Sequence, residues 1–367
     1  MKIIDLPSKE WDELTLKDFG GKRAEKSVCV VRYGGMGDMI QVSSLFPLFK
    51  KEGYRVCVNV SEQGKDILET DPNVDELLVQ KTDQIPNDRL TLYWKKLEQC
   101  FDKFVQLSES IEKGLLLSPE RLETIRGEKV VVKGSPDYSL SKEEIHEKYN
   151  VNYMERTHDI AGLPYKFLPK FYPTEAEKKY ARRKRKRIKS KNVILWALSG
   201  SSVHKVYPWT DAVISRLLMD KKDASIVTVG DGLCELLEVG WEKEKRVITR
   251  SGKWSVRETL AFLDVCDVVV GPETGVLNAA STLPCHKTVM LSHSSHENLS
   301  KHWKNTTALG PDDYPDYCFP CHKMHYGFST CNRDKETGGA MCAAKIKPQN
   351  VVAVSYTHLR AHETRHD

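Results

Sequence analysis

Residues 27–40 constrain this chain more than any other stretch. Ser-Val-Cys-Val-Val-Arg-Tyr-Gly-Gly-Met-Gly-Asp-Met-Ile reads as a buried strand, a glycine-rich turn and the start of a helix. The run 28–31 is too short and too β-branched for a helix, so the pattern predicts a core strand of a parallel sheet. Gly34, Gly35 and Gly37 let the backbone turn tightly and approach a ligand. Asp38 then falls where the helix begins. An acid there has two readings: a cap that accepts backbone N–H bonds, or a reactive carboxylate at the C-terminal edge of the sheet, where open α/β folds hold their ligands.

A chain of 367 residues is long for one core, so two domains are expected. With 40% hydrophobic and 29% charged residues, the composition is that of a globular protein. No window approaches ~18 consecutive apolar residues, which argues against a membrane-spanning helix. Residues 1–10 lack the apolar core of a secretory signal, so a cytoplasmic location is expected. The net charge of +5 is modest, and much of it lies in the run 182–191, so overall charge does not argue for nucleic acid.

Residues 1–25 are charged and weakly patterned, and read as an N-terminal extension. The first domain is expected over 26–173: a helix over 39–52 ending at Gly53, then strands over 54–60 and 74–79, form a βαβ unit. Between 80 and 150 the pattern blurs, with weak strands near 101–107 and 130–132. Residues 174–191 are expected to be an interdomain linker helix, since acids open it and the bases 182–187 close it, as the helix dipole favours. No aromatic residues interleave those bases, which argues against nucleic acid, whereas peripheral contact with an anionic membrane stays open. A second α/β pattern fills 192–312, with strands over 193–198, 225–229, 246–249, 267–270 and 286–291. Two such halves describe two Rossmann-like domains.

Three motifs, in order, carry a resemblance. They are Arg32-Tyr33-Gly34-Gly35-Met36-Gly37-Asp38; Ser199-Gly200-Ser201-Ser202 with Lys205 and Pro208; and Ser251-Gly252-Lys253 followed by Val268-Val269-Val270-Gly271-Pro272-Glu273-Thr274-Gly275. On these the chain resembles the ADP-heptose:lipopolysaccharide heptosyltransferases, glycosyltransferase family nine. The resemblance implies an α/β fold of GT-B architecture, two Rossmann-like domains with parallel sheets facing a central cleft. It further implies an inverting transfer of a heptose-like sugar from a nucleotide diphosphate, an ADP-sugar by preference, to a glycan or lipid-linked glycan acceptor. No nucleic-acid partner is implied.

The chemistry of the residues agrees. Sugar transfer needs a base for the acceptor hydroxyl and positive potential where the diphosphate leaves. Asp38 is the candidate base and Lys205 the candidate cation, with the hydroxyls of Ser201 and Ser202 as further donors. Thr274, Gly275 and Val276 open a helix whose N–H groups suit an anion, and Asn278 follows them. Glu235 is placed to bind a ribose, although a solvated acid is the plainer reading. Arg32, Gly34, Gly35 and Gly37 shape the acceptor side. No Asp-x-Asp pair is placed to hold a divalent cation, so no metal is expected in catalysis. Glu273 stands where the family has Asp, and Asn278 where it has His, which leaves a catalytically degenerate binding protein as one rival. The other is an NAD(P)-dependent oxidoreductase, but Gly-Gly-x-Gly is not the Gly-x-Gly-x-x-Gly that a dinucleotide turn requires.

Of ten cysteines, Cys29, Cys57, Cys100, Cys234 and Cys266 are scattered, most within or beside apolar runs, and read as small hydrophobes. Cys318, Cys321, Cys331 and Cys342 cluster near the C-terminus. They supply four soft ligands, enough for one structural zinc, or a local element without metal. His293, His296, His302, His322 and His325 surround them. Residues 355–367 break the composition abruptly and read as a non-native tail.

Overall fold

The computed structural model describes residues 1–5, 26–81, 84–108, 110–125, 128–312, 318–325 and 331–363. The chain divides into two compact units, Met1–Ser139 with Tyr153–Tyr172, and Leu140–Asn152 with Pro173–Asp367. The expected first domain of 26–173 therefore gains the N-terminal residues and loses Pro173 and the segment 140–152. That segment is held in the second unit by long-range bonds invisible to local pattern. Asn152 Nδ2 donates to Glu297 O (2.9 Å) and Asn298 Nδ2 to Val151 O (2.6 Å).

In the first unit, β1 (Lys2–Asp5), β2 (Ser27–Val31), β3 (Arg55–Ser61), β4 (Glu76–Gln80) and β5 (Lys103–Gln106) form a parallel sheet of order β1-β4-β3-β2-β5. All five residues of β2 are buried, as a core strand with both faces covered requires. The chain leaves β2 toward β3 on one side and returns on the other as β5, so the loop after β2 lies at a topological switch point. The expected extension 1–25 contains an edge strand, because Lys2–Asp5 pairs with β4; residues 6–25 lie outside those described. The strand expected at 130–132 belongs instead to a separate antiparallel hairpin of β6 (Arg121–Ile125) and β7 (Glu128–Val132).

The second unit holds β8 (Asn192–Ala197), β9 (Ala224–Val229), β10 (Val247–Thr249), β11 (Val268–Pro272), β12 (His286–Met290) and β13 (Thr306–Leu309) in the order β10-β9-β8-β11-β12-β13, all parallel. Ile194, Trp196, Val268 and Val270 pack with Val213 and Leu217 of the helix Thr210–Asp220 and with Val351. Each such fully buried side chain contributes about 1.5–3 kcal/mol, enough to hold the polar loops at the sheet edge in place. Here the switch point falls between β8 and β11, which brings the loops after those strands side by side.

Two further expectations change. The helix Glu175–Arg187 is part of the second unit rather than a free linker. Its Glu177 is paired twice with Arg257, at 2.6 and 2.9 Å. The helix Pro348–Glu363 runs through the start of the expected tail, burying Ser355 and setting Lys221 5.0 Å from the Tyr356 ring centre. Among the described residues, no helix is long and apolar enough to cross a membrane.

Candidate functional site

At the switch point of the first unit, Gly34 has φ +127°, a conformation L side chains rarely adopt, and a Cβ there would collide with the Asp38 carboxylate. The turn therefore needs glycine to make room for the acid. Gly35 caps the helix Met36–Val42, which contains Gly37 and Asp38. Asp38 Oδ2 accepts the Gly35 N–H at 2.7 Å, so the capping reading is realised. Its Oδ1 accepts from Arg32 Nη2 at 2.5 Å, and Arg32, only 4% exposed, is anchored in turn on Leu107 O at 3.1 Å. The carboxylate nevertheless stays 33% exposed. Behind it, the Tyr33 hydroxyl lies 2.6 Å from Asn59 Oδ1 and 2.5 Å from Gln80 Oε1, and burial raises its pKa, so the phenol stays protonated.

At the switch point of the second unit, the loop 199–202 leads into a single turn, Val203–Lys205. A Cβ on Gly200 would lie 2.7 Å from the Lys205 side chain, so glycine lets that chain lie across the loop. Lys205 Nζ donates to Glu273 O at 3.0 Å. Ser201 is exposed, whereas Ser202 Oγ is buried with no hydrogen-bond partner among the described residues. An unsatisfied buried hydroxyl is costly. The helix Gly275–Ala280 has only six residues, and one of its first N–H groups is already engaged, because Thr274 Oγ1 accepts from Leu277 N at 3.3 Å. Val276 is buried, and Asn278 turns its amide back onto Thr274 O at 3.0 Å.

Glu273 points inward. It is 5% exposed, its Oε1 accepts from Ser292 N (2.6 Å) and Ser294 N (3.1 Å), and Oε2 lies 2.9 Å from His293 Nδ1, close enough to pair charge without the alignment of a hydrogen bond. Burial opposes its charge, but His293, Lys205 and the Ser292 N–H hold its pKa well below the usual carboxylate range. Glu235 lies over Gly252, which has φ +63°, within the short 3-10 segment Gly232–Glu238.

Sequence reasoning gave no role at this site to Glu238, His293 or His204. Glu238 is buried and gathers Thr228 Oγ1, Arg250 N, Ser251 N and Ser251 Oγ onto one oxygen at 2.6–3.2 Å, shaping the turn at 250–252. His293 meets Glu273 from a loop of no distinct pattern. The His204 ring centre lies 4.4 Å from that of His325 and 5.8 Å from that of His293. The pKa of His204 is pushed down to about 2 by burial and by those neighbours, so it is neutral.

All ten cysteines are free thiols. Burial raises the Cys321 thiol, with Cys318, Cys342 and Cys331 acting on it in the same direction. The sulfurs of Cys321 and Cys331 each lie 3.3 Å from a ring nitrogen of His325. Among the described residues, no three Cys, His, Asp or Glu side chains converge to hold a metal ion.

No family model matches the sequence, and no curated protein matches it. Solved structures do match. The ADP-heptose lipopolysaccharide heptosyltransferase II of E. coli aligns over 92% of this chain and 99% of its own, with TM-score 0.60 and 16% identity. The chain has the heptosyltransferase fold. A glycosyltransferase family 9 structure from Veillonella parvula DSM 2008 aligns over 92% and 97% with TM-score 0.58 and 12% identity. The iron-containing glycosyltransferase TibC from enterotoxigenic E. coli H10407 aligns over 92% and 77%, at TM-score 0.56 and 12% identity. The GT-B architecture of the heptosyltransferase fold is thus shared across nearly the whole chain, at identities that leave the side chains to be judged on their own geometry.

Proposed function

We propose that this protein is an inverting, metal-independent glycosyltransferase. The observation that carries the reading is that each unit places chemistry at its own switch point: a part-exposed, oriented carboxylate after β2, and a lysine beside an unsatisfied hydroxyl after β8. Asp38 takes the proton from the acceptor hydroxyl as it attacks the anomeric carbon, and Arg32 fixes the orientation of that carboxylate. Lys205, Ser201 and Ser202 receive the charge that develops on the departing diphosphate. The heptosyltransferase fold favours a heptose-like donor linked to ADP, since one structural neighbour is described in complex with ADP-D-beta-D-heptose. A glycan or lipid-linked glycan is the acceptor. The protein works in the cytoplasm, where the bases of Glu175–Arg187 can meet an anionic membrane.

Calorimetry with ADP, UDP, GDP and NADH tests the reading. ADP is expected to bind, and failure of all three nucleoside diphosphates would overturn it. Binding of NADH instead would favour an oxidoreductase.

A further inference from the structure

Glu273 follows β11 at the edge where the proposed donor site lies, yet its carboxylate faces the protein interior and is engaged there. Its Oε1 takes two backbone N–H groups from one loop, those of Ser292 and Ser294, and its Oε2 faces the imidazole of the residue between them. A carboxylate bound by two amides and a charged or polar ring is a strong local anchor, because charge-assisted bonds are about twice as strong as neutral ones. The same residue's carbonyl accepts the Lys205 ammonium. Three loops, after β8, β11 and β12, therefore meet on one residue. The clamp extends outward, since His293 O accepts the His322 N–H at 2.9 Å and the His204 ring, next to Lys205 in the chain, lies against His293.

We propose that Glu273 is a positioning residue for donor binding: by locking the 292–294 loop to the end of β11, it fixes the carbonyl on which Lys205 rests, and so sets where that cation meets the diphosphate. This rests on the reading of Lys205 as the phosphate contact. Glu273 itself does not touch the donor. The shape of the carboxylate matters as much as its charge, because a Gln has one acceptor oxygen and would turn its amide N–H groups toward donors or toward the ring.

The test pairs Glu273→Gln with His293→Ala. Hydrogen exchange should show the Ser292 and Ser294 amides losing protection at least tenfold in Glu273→Gln while β8 and β9 stay protected. ADP affinity, by calorimetry, should weaken about tenfold or more, with His293→Ala showing a smaller change in the same direction. Glu273→Asp, which keeps the charge on a shorter arm, should recover part of both. A folded Glu273→Gln protein with unchanged exchange at 292 and 294, or with exchange lost but ADP affinity within twofold of the parent, overturns the proposal. If Glu273→Gln fails to fold, His293→Ala decides by the same two readouts. If the parent binds no ADP, UDP or GDP, the donor site itself is refuted and the positioning role falls with it, while the exchange result still shows whether the clamp exists.

Discussion

Two acids close two similar turns, and the protein treats them in opposite ways. Asp38 and Glu273 each follow a buried strand beside a switch point. Asp38 stays one-third exposed with one oxygen on a cap and the other on Arg32, whereas Glu273 is 5% exposed with both oxygens facing the 292–294 loop. The longer acid reaches inward and the shorter one stays at the turn. An acid that keeps an exposed face can exchange a proton with a ligand, while one enclosed by fixed donors can only organise them. Similar sequence grammar thus yields a part-exposed carboxylate in one unit and a buried anchor in the other.

The sharpest way to break this contrast is a pair of substitutions near the reacting groups. Asp38→Asn should lower transfer by roughly 10²–10⁴-fold while leaving ADP affinity intact. Lys205→Met should weaken ADP binding and slow transfer by about 10²–10³-fold. Equal loss of binding in both variants would mean that the two residues do not divide the work between acceptor and donor.

Glycine substitutions probe how Asp38 is held. Gly34 and Gly53 both have positive φ, but a Cβ at Gly34 meets the Asp38 carboxylate and one at Gly53 meets nothing. Gly53→Ala should cost only the backbone term, about 1–2 kcal/mol, with activity unchanged. Gly34→Ala should lower both the melting temperature and the transfer rate. Equal activity in the two would show that the turn does not position Asp38.

The smallest effect concerns acid stability. The folded-state pKa of Glu273 lies below its ordinary value of 4.5. Its contribution to stability is therefore present above pH 4.5 and is lost as the pH falls below that toward the folded-state pKa. Urea midpoints should drop more steeply below pH 4.5 for the parent than for Glu273→Gln. Parallel curves would show that the clamp carries no charge-dependent stability.

Much of this was legible in the chain. The runs 28–31, 193–198 and 268–270 are continuously apolar, and such runs have few alternatives to a buried parallel sheet. The turn glycines and Asp38 announced themselves because steric freedom and a capping acid leave local signatures. Lys205 was singled out by its motif. What stayed hidden depended on distant partners. Glu238 and His293 lie in segments with no periodicity, and their roles exist only because 228, 250 and 251, or 273, arrive beside them. The helix Glu175–Arg187 looked like a linker because its charge pattern is that of a solvated helix, and the Glu177–Arg257 pair that ties it down spans eighty positions.

The sequence by itself determined two parallel α/β units, the glycine turn that presents Asp38 and the lysine loop after β8, because these follow from local sterics and hydrophobic period. Only the tertiary structure decided which acid faces outward, that 140–152 belongs with the second unit, and that one residue, Glu273, joins three loops. Those facts depend on which side chains meet across the chain, and a pattern read along the chain contains no distance between them.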